Sequence, residues 1–487
     1  MYLTQTDLIK WQLEEAANTQ ISDIIQDLIK ADMLSPEKKA MCDGNKYYIG
    51  EHDILQVDFQ KFFVDGVSQT NKNAANNRIV NAYHRVLVDQ KAGYISGNNI
   101  TFSGDEQFIN FMNNTLGKQR HKYFRSLITG ASNKGAEYLH VFINAYGNFD
   151  YVIIPATQII PVYDSSYQKE LTSIIRYYPF IYKASKMSPP QTLYKVEIWD
   201  KEKTYFFTET PSGGFIPDGD KTVNPRYHFY EYNTIEPNNR SGKGWGRVPF
   251  IELRNNDEKK SDLTFTKSLI DNYDYDLSKM GNNLADIAKA IWVLRGYEGT
   301  DLAEFMTNLN LYNALKVGET GGAEPKQLDI PDTAHDGHME RLEDNIFVFG
   351  MGVNPKTKDM TISPSGIALK FMYAGLDIKS NILITEMSYA LAELAWFVSE
   401  FSRIKTGSVF DISNFEPIFN KSVIFNETEI IDSAQKSKGI ISDETILEHH
   451  PWVSDVQKEL QRLEEQEANS PKLDLLSDTN IDNSGAM

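Results

Sequence analysis

The stretch "SPSGIALKFMYAGLDIKSN", residues 363–381, opens with a helix-start signal and runs into a long apolar-periodic segment. Ser363 or Ser365 can cap the helix, and Pro364 sets the approach of the chain. No proline occurs between Pro364 and Pro417, so the segment reads as one long or once-bent helix. Leu376, Ile382, Leu383, Met387, Leu391, Leu394 and Phe397 form its expected buried stripe. Gly375 lies inside and costs about 1 kcal/mol against alanine, which marks it as the candidate bend.

Working backwards, "NPKTKDMTISPSG" (354–366) is a polar loop that carries Lys356 and Lys358. It follows a shorter helix, "HMERLEDNIFVFGMGV" (338–353). Further back, the apolar residues of 261–291 step by three and four through Leu269 or Ile270, Tyr273, Leu277, Met280, Leu284, Ile287 and Ile291, which predicts one helix. Its opposite face, Asp271, Asp274, Ser278 and Asn282, is read as polar and outward. Possible strands "IWVLRG" and "ALKVGE" flank a helix "DLAEFMTNLN" in the insertion between these two helices. From about 135 to 256 the texture is short aromatic and β-branched strands between Gly, Pro, Asn and Asp turns, an antiparallel β-rich lobe. Helices are expected over residues 1–60, around 73–95 and over 426–467, with a disordered tail after them.

The chain has 487 residues, 41% hydrophobic and 12% aromatic, so several packed units are expected. Cys42 is its one cysteine, which excludes an internal disulfide framework and a multi-cysteine zinc site. A reducing interior is the expected place of synthesis. The start reads as an amphipathic helix rather than a signal, and no apolar run nears the roughly 18 residues that span a bilayer, so no membrane is expected. The formal charge of −18 argues against a sequence-reading DNA binder, because Lys and Arg neutralising phosphates supply most non-specific affinity. It leaves room for a protein that DNA passes without being held.

Catalytic patterns are weak. "SGKGWGRVP" (241–249) lacks phosphate-loop spacing and reads as a mobile connector. His335 and His338 read as surface histidines in a loop broken by Gly337, and His449 and His450 point apart on a helix. Pairs such as Asp274 with Asp276, or Glu464 with Glu465, face different ways. No metal, cofactor or catalytic residue is expected.

The order of features carries a resemblance through "YYIGEHDI" (47–54), "NRIVNAYHRVLVDQKAGYISGNNITF" (77–102), "PATQIIPVYD" (155–164), "GRVPFIELRNN" (246–256), "SLIDNYDYDLSKMGNNLADIAKAIWVLRGYEGTDLAEF" (268–305) and the opening stretch. The chain resembles the portal proteins of tailed bacteriophages, in the long-tailed branch of Gram-positive hosts. The resemblance implies an α+β portal fold. Residues 1–256 would be a β-rich wing, 257–290 and 336–352 long stem helices, 291–335 a small α/β clip and 353–364 a tunnel loop. Residues 365–470 would be the long tunnel helix and helical crown, and 471–487 a disordered tail that departs from the family pattern.

It further implies a non-enzymatic ring, typically of twelve copies, at the unique capsid vertex of the virion. Double-stranded DNA would pass through non-specifically during packaging and ejection. Terminase, scaffold or major capsid protein and head-tail connector proteins would be its partners, with assembly in the host cytoplasm. Lys356, Lys358, Thr361 and Ser363 then fall on the tunnel loop, and Asp271 and Asp274 on an acidic stem face that repels the DNA backbone. The alternatives are a minor head or connector protein, and an acidic magnesium-dependent nuclease.

Overall fold

The computed structural model describes residues 18–64, 67–72, 74–164, 170–232, 240–287, 291–295, 322–326, 332–356, 366–421, 427–448, 450, 452–453 and 456–469. Residues 1–355 with 373–422 form one compact unit, and 356–372 with 423–487 another. Helices and strands mix throughout, an α+β fold as the sequence indicates.

Two helices begin the described chain, α1 (Asn18–Leu34) and α2 (Pro36–Ile49). Ser35 stops the first and starts the second: its Oγ accepts from Lys38 N at 3.1 Å, with Pro36 at the first helical position. A hairpin, β1 (Lys61–Val64) and β2 (Val67–Thr70), precedes α3 (Tyr83–Ser96) and β3 (Thr101–Ser103). Next comes α4 (Glu106–Leu116), capped by Asp105 at 2.8 Å from Phe108 N, and then α5 (Arg120–Lys134). Gly135 ends α5 at φ 87°, where an added Cβ would lie 2.1 Å from Lys259 O. Only glycine fits there.

The β-rich lobe contains β4 (Ala136–Ile143), β5 (Phe149–Ile154), β6 (Ile159–Tyr163), β7 (Leu171–Tyr182), β8 (Gln191–Trp199), β9 (Lys203–Glu209), β10 (Phe215–Pro217), β11 (Arg226–Tyr227), β12 (Phe229–Tyr232), β13 (Arg240–Lys243) and β14 (Phe250–Arg254). An antiparallel sheet runs in the order β10-β9-β8-β7-β6, with β11 also on β9; a second sheet is β14-β4-β5, and β12 pairs with β13. Alternation along β7 decides how the layers stack. Ile175 and Tyr177 pack on Ile25 and Ile29 of α1, while Ile174 turns to Tyr138 and Phe250 of the smaller sheet. A register slip of one residue would exchange these two cores.

Helices α6 (Lys267–Ile287) and α7 (Asp332–Phe349) pack together, with the hairpin β15 (Ile291–Arg295) and β16 (Gly322–Lys326) between them in sequence. The expected single helix over 261–291 is shorter at both ends: Asp262–Phe265 form a separate 3-10 turn, and Ile291 opens β15. The stretch α8 (Gly366–Thr406) is one helix of 41 residues, about 62 Å long. It is followed by β17 (Glu416–Ile418) on β3, and then by α9 (Glu427–Ser437), α10 (Asp443–Glu448) and α11 (Val456–Asn469).

The expectation about apolar runs is corrected here, because Leu369–Thr406 is long and apolar enough to cross a membrane. Its apolar residues have another use. Leu383, Met387, Leu391, Leu394, Phe397 and Val398 are wholly enclosed in the largest core with α4, α5 and the smaller sheet. Of the expected stripe only Ile382 stands apart, at 47% exposure.

Candidate channel elements and their supports

The polar face of α6 was expected outward, and the structure encloses most of it. Asp274, Ser278 and Asn282 are buried, while Leu284 of the apolar stripe is exposed. The physical reason is a strap, residues 75–81, which was expected to be part of a helix but lies ahead of α3 and donates alternate amides to successive turns of α6. Asn81 N reaches Asp274 Oδ1 at 2.8 Å, Ile79 N reaches Ser278 Oγ at 2.8 Å, Asn77 N reaches Asn282 Oδ1 at 2.6 Å and Ala75 N reaches Asp286 Oδ1 at 3.1 Å. Two residues of extended chain advance about 6.6 Å. Four residues of helix rise about 6.0 Å, so the ladder stays in step for three turns.

Asp274 is thus enclosed rather than part of an open acidic face. Its carboxylate also meets His52 Nδ1 at 2.6 Å, with the other ring nitrogen 3.1 Å from Tyr47 O. Asp271 is half-buried; it takes Lys267 Nζ at 2.9 Å and the Tyr47 hydroxyl. Burial, reinforced by the hydrogen bond to Asp271, pushes the Tyr47 phenol far up.

A second support centres on Asp262, in the turn before α6. Lys379 Nζ of α8 lies 3.0 Å from its Oδ2, Lys91 Nζ of α3 lies 3.4 Å from Oδ1, and Asn255 Nδ2 donates to it at 2.8 Å. Lys91 also donates to Asn255 Oδ1 at 2.6 Å. The two ammonium groups hold the Asp262 carboxyl well below the usual range against the cost of burial. Burial brings the Lys91 amine down to about 8.

From this hub the chain after α7 is pinned. Lys379 Nζ donates to Gly350 O at 2.9 Å, and the Gln90 amide brackets Val353, donating to its O at 2.7 Å and accepting from its N at 3.0 Å. Met351, at φ 50°, faces Gly375, where a Cβ would meet it at 3.6 Å. Gly375, the expected bend, lies inside the continuous span of α8, and an added Cβ there would make only ordinary contact with Met351. Lys356 is exposed just beyond the pinned segment. Lys358, Thr361 and Ser363 lie outside the described residues, as do most of 291–335, including the expected strand "ALKVGE" and helix "DLAEFMTNLN". The partner of β15 is Gly322–Lys326.

Other expectations change too. Gly337 does not break the chain: His335 and His338 sit within α7, and His338 Nε2 lies 3.1 Å from Asp276 Oδ2 of α6. "SGKGWGRVP" is a packed connector, with Trp245 buried against Phe229 and Phe397. Among the described residues no group of three or more His, Cys, Asp and Glu could hold a metal ion. The sequence reading missed the strap and the Asp262 hub. Their visible signal was a polar residue at every fourth position from 274 to 286, which a solvated face also produces.

Residues 34–472 match the family model described as phage portal protein, SPP1 Gp6-like. The portal protein of Bacillus phage SPP1 is 31% identical over 454 residues, covering 91% of this chain and 86% of the relative. That of Clostridium phage phiCD119 is 30% identical over 468 residues, covering 92% and 97%. A chain from the neck of an empty GTA particle aligns over 75% of this chain at 13% identity with a TM-score of 0.42, a likeness too distant to carry argument. With nearly its whole described length matched in order, this chain belongs to the SPP1 Gp6-like family of phage portal proteins.

Proposed function

We propose that copies of this chain close into a ring at the unique vertex of a phage capsid and form the conduit through which double-stranded DNA is packaged and ejected. The observation that carries this reading is the family match over residues 34–472. The surface of α8 supports it: Ile378, Ile382 and Tyr389 are exposed at spacings of four and seven, on the flank of a helix whose other side is core. A ring needs two different faces per subunit, each covering its neighbour. An apolar flank of this kind suits one of them.

In this assignment residues 1–256 are the wing, 257–290 and 336–352 the stem, 291–335 the clip, 353–364 the tunnel loop and 365–470 the long helix and crown. The clip would dock terminase and later the head-tail connectors. Assembly would take place in the host cytoplasm, with twelve subunits. The role is structural rather than catalytic. Lys356 and Lys358 would touch DNA phosphates transiently, while the chain's charge of −18 discourages tight holding. Asp274 contributes nothing to the channel surface in this reading, because the strap encloses it.

Negative-stain imaging with a particle mass tests the ring: a closed assembly with a central opening wide enough for duplex DNA is the expected result, and a globular monomer would overturn the reading. Alanine at both Lys356 and Lys358 is expected to change packaging rate or DNA retention while rings still form. Unchanged packaging and retention would remove their role alone.

A further inference from the structure

A cavity of about 720 Å³ opens in the β-rich lobe where β4, β9, β12 and the C-terminal end of α8 meet. That volume falls in the range of roughly 300–1,000 Å³ typical of ligand pockets. Its floor is aromatic: the His140 ring stacks on Phe250 at 4.4 Å and meets Trp199 edge-on at 4.6 Å. Burial carries the His140 imidazole down to about 3, so the floor is uncharged at neutral pH.

The charges around the cavity are unevenly matched. Glu197 is paired with Arg176 at 3.2 Å, and Glu231 with Lys243 at 2.6 Å. Lys221 and Arg226 are different. Both are exposed, and their charged groups lie 5.0 and 5.2 Å from the centroid of the same Phe206 ring. Neither forms a salt bridge among the described residues, and Asp220 beside Lys221 is taken by Lys195 at 2.8 Å. Two unmatched cations over one ring, in a chain of net charge −18, leave an anionic position open.

We propose that this cavity is a docking pocket for an acidic peptide segment of a partner protein, which seats one aromatic side chain on the His140, Trp199 and Phe250 floor and pairs its carboxylates with Lys221 and Arg226. Aromatic anchors in such pockets supply most of the energy in protein interfaces. A nucleic-acid strand fits less well. It needs a long track of phosphate contacts, whereas the lining cations without a carboxylate partner among the described residues are Lys221, Arg226 and Lys405, the last held by Asn148 Oδ1 at 3.1 Å.

The test is fluorescence anisotropy on the purified full chain with labelled dodecapeptides: one with four aspartates around a central tryptophan, one with that tryptophan replaced by alanine, and one with the aspartates replaced by lysines. A labelled oligothymidylate of twelve bases is the nucleic-acid probe. The first peptide is expected to bind at least about tenfold more tightly than each of the others. The variant Lys221→Glu/Arg226→Glu, its fold checked by melting temperature, is expected to lose that preference and favour the lysine peptide. Equal binding of the peptides, no binding, preference for the oligonucleotide, or a preference unchanged in the double variant would each overturn the proposal. The assay does not depend on ring formation, so its failure leaves the conduit reading standing.

Discussion

Replacing Asp262 by asparagine keeps the shape of the side chain and removes the one carboxylate shared by two enclosed lysines. Lys91 is 1% exposed, so its ammonium cannot turn to water without moving α3, and Lys379 is held between Asp262 and Gly350 O. Breaking a buried pair from one side costs about 3–5 kcal/mol. At roughly 2.1 cal/mol/K per residue, a unit of about 400 residues has an unfolding entropy near 0.85 kcal/mol/K, so the midpoint should fall by about 4–6 °C. Differential scanning calorimetry at fixed protein concentration measures this. The triple variant Asp262→Leu/Lys91→Met/Lys379→Met, which removes every charge of the hub, is expected to regain most of the loss, since apolar replacement of a whole buried ionic cluster is often neutral or better. The sign with pH follows from the depressed carboxyl. Its stabilisation is present above the unfolded value near 4 and is lost as pH falls towards the folded one. A single variant melting within about 1 °C of the parent at neutral pH, or a triple variant as damaged as the single one, would refute this account of the hub.

Ser278→Ala leaves the half-buried Ile79 amide without its acceptor and should cost about 1 kcal/mol, and hydrogen exchange should speed up at Ile79 and its strap neighbours while the α6 amides stay protected. Unchanged exchange at Ile79 would show that the ladder does not hold the strap. Ile382→Glu with Tyr389→Glu should shift particle mass from ring to monomer with little change in melting, because both side chains are exposed in the subunit; an intact ring would exclude this flank from the interface. His140, held neutral by burial, lets the unfolded chain bind the extra proton below about pH 6.5, so stability should fall as pH drops from there towards 4. His140→Phe should flatten that slope in acid melting curves, and an identical slope would assign the acid sensitivity elsewhere.

Much of this molecule was legible from sequence because it follows local rules. Proline-free periodicity gave the α8 helix, and β-branched and aromatic runs between turn residues gave the antiparallel lobe. The collinear order of these features pointed to the family before any coordinates. What only the tertiary structure decided is the direction in which polar residues face. Periodicity assumes that the apolar side of a helix is the inner one. On α6 that assumption is incomplete: Tyr273 still packs on the core, but a strap some 200 positions away in the chain supplies backbone amides that bury Asp274, Ser278 and Asn282 as well, while Leu284 is left exposed. Asp262 is the same case: one aspartate in a turn becomes the junction of α3, α6 and α8 only when Lys91 and Lys379 arrive from distant segments. Burial of a polar group is favourable only once its partners are in place, and those partners are chosen by the fold rather than by the neighbouring sequence.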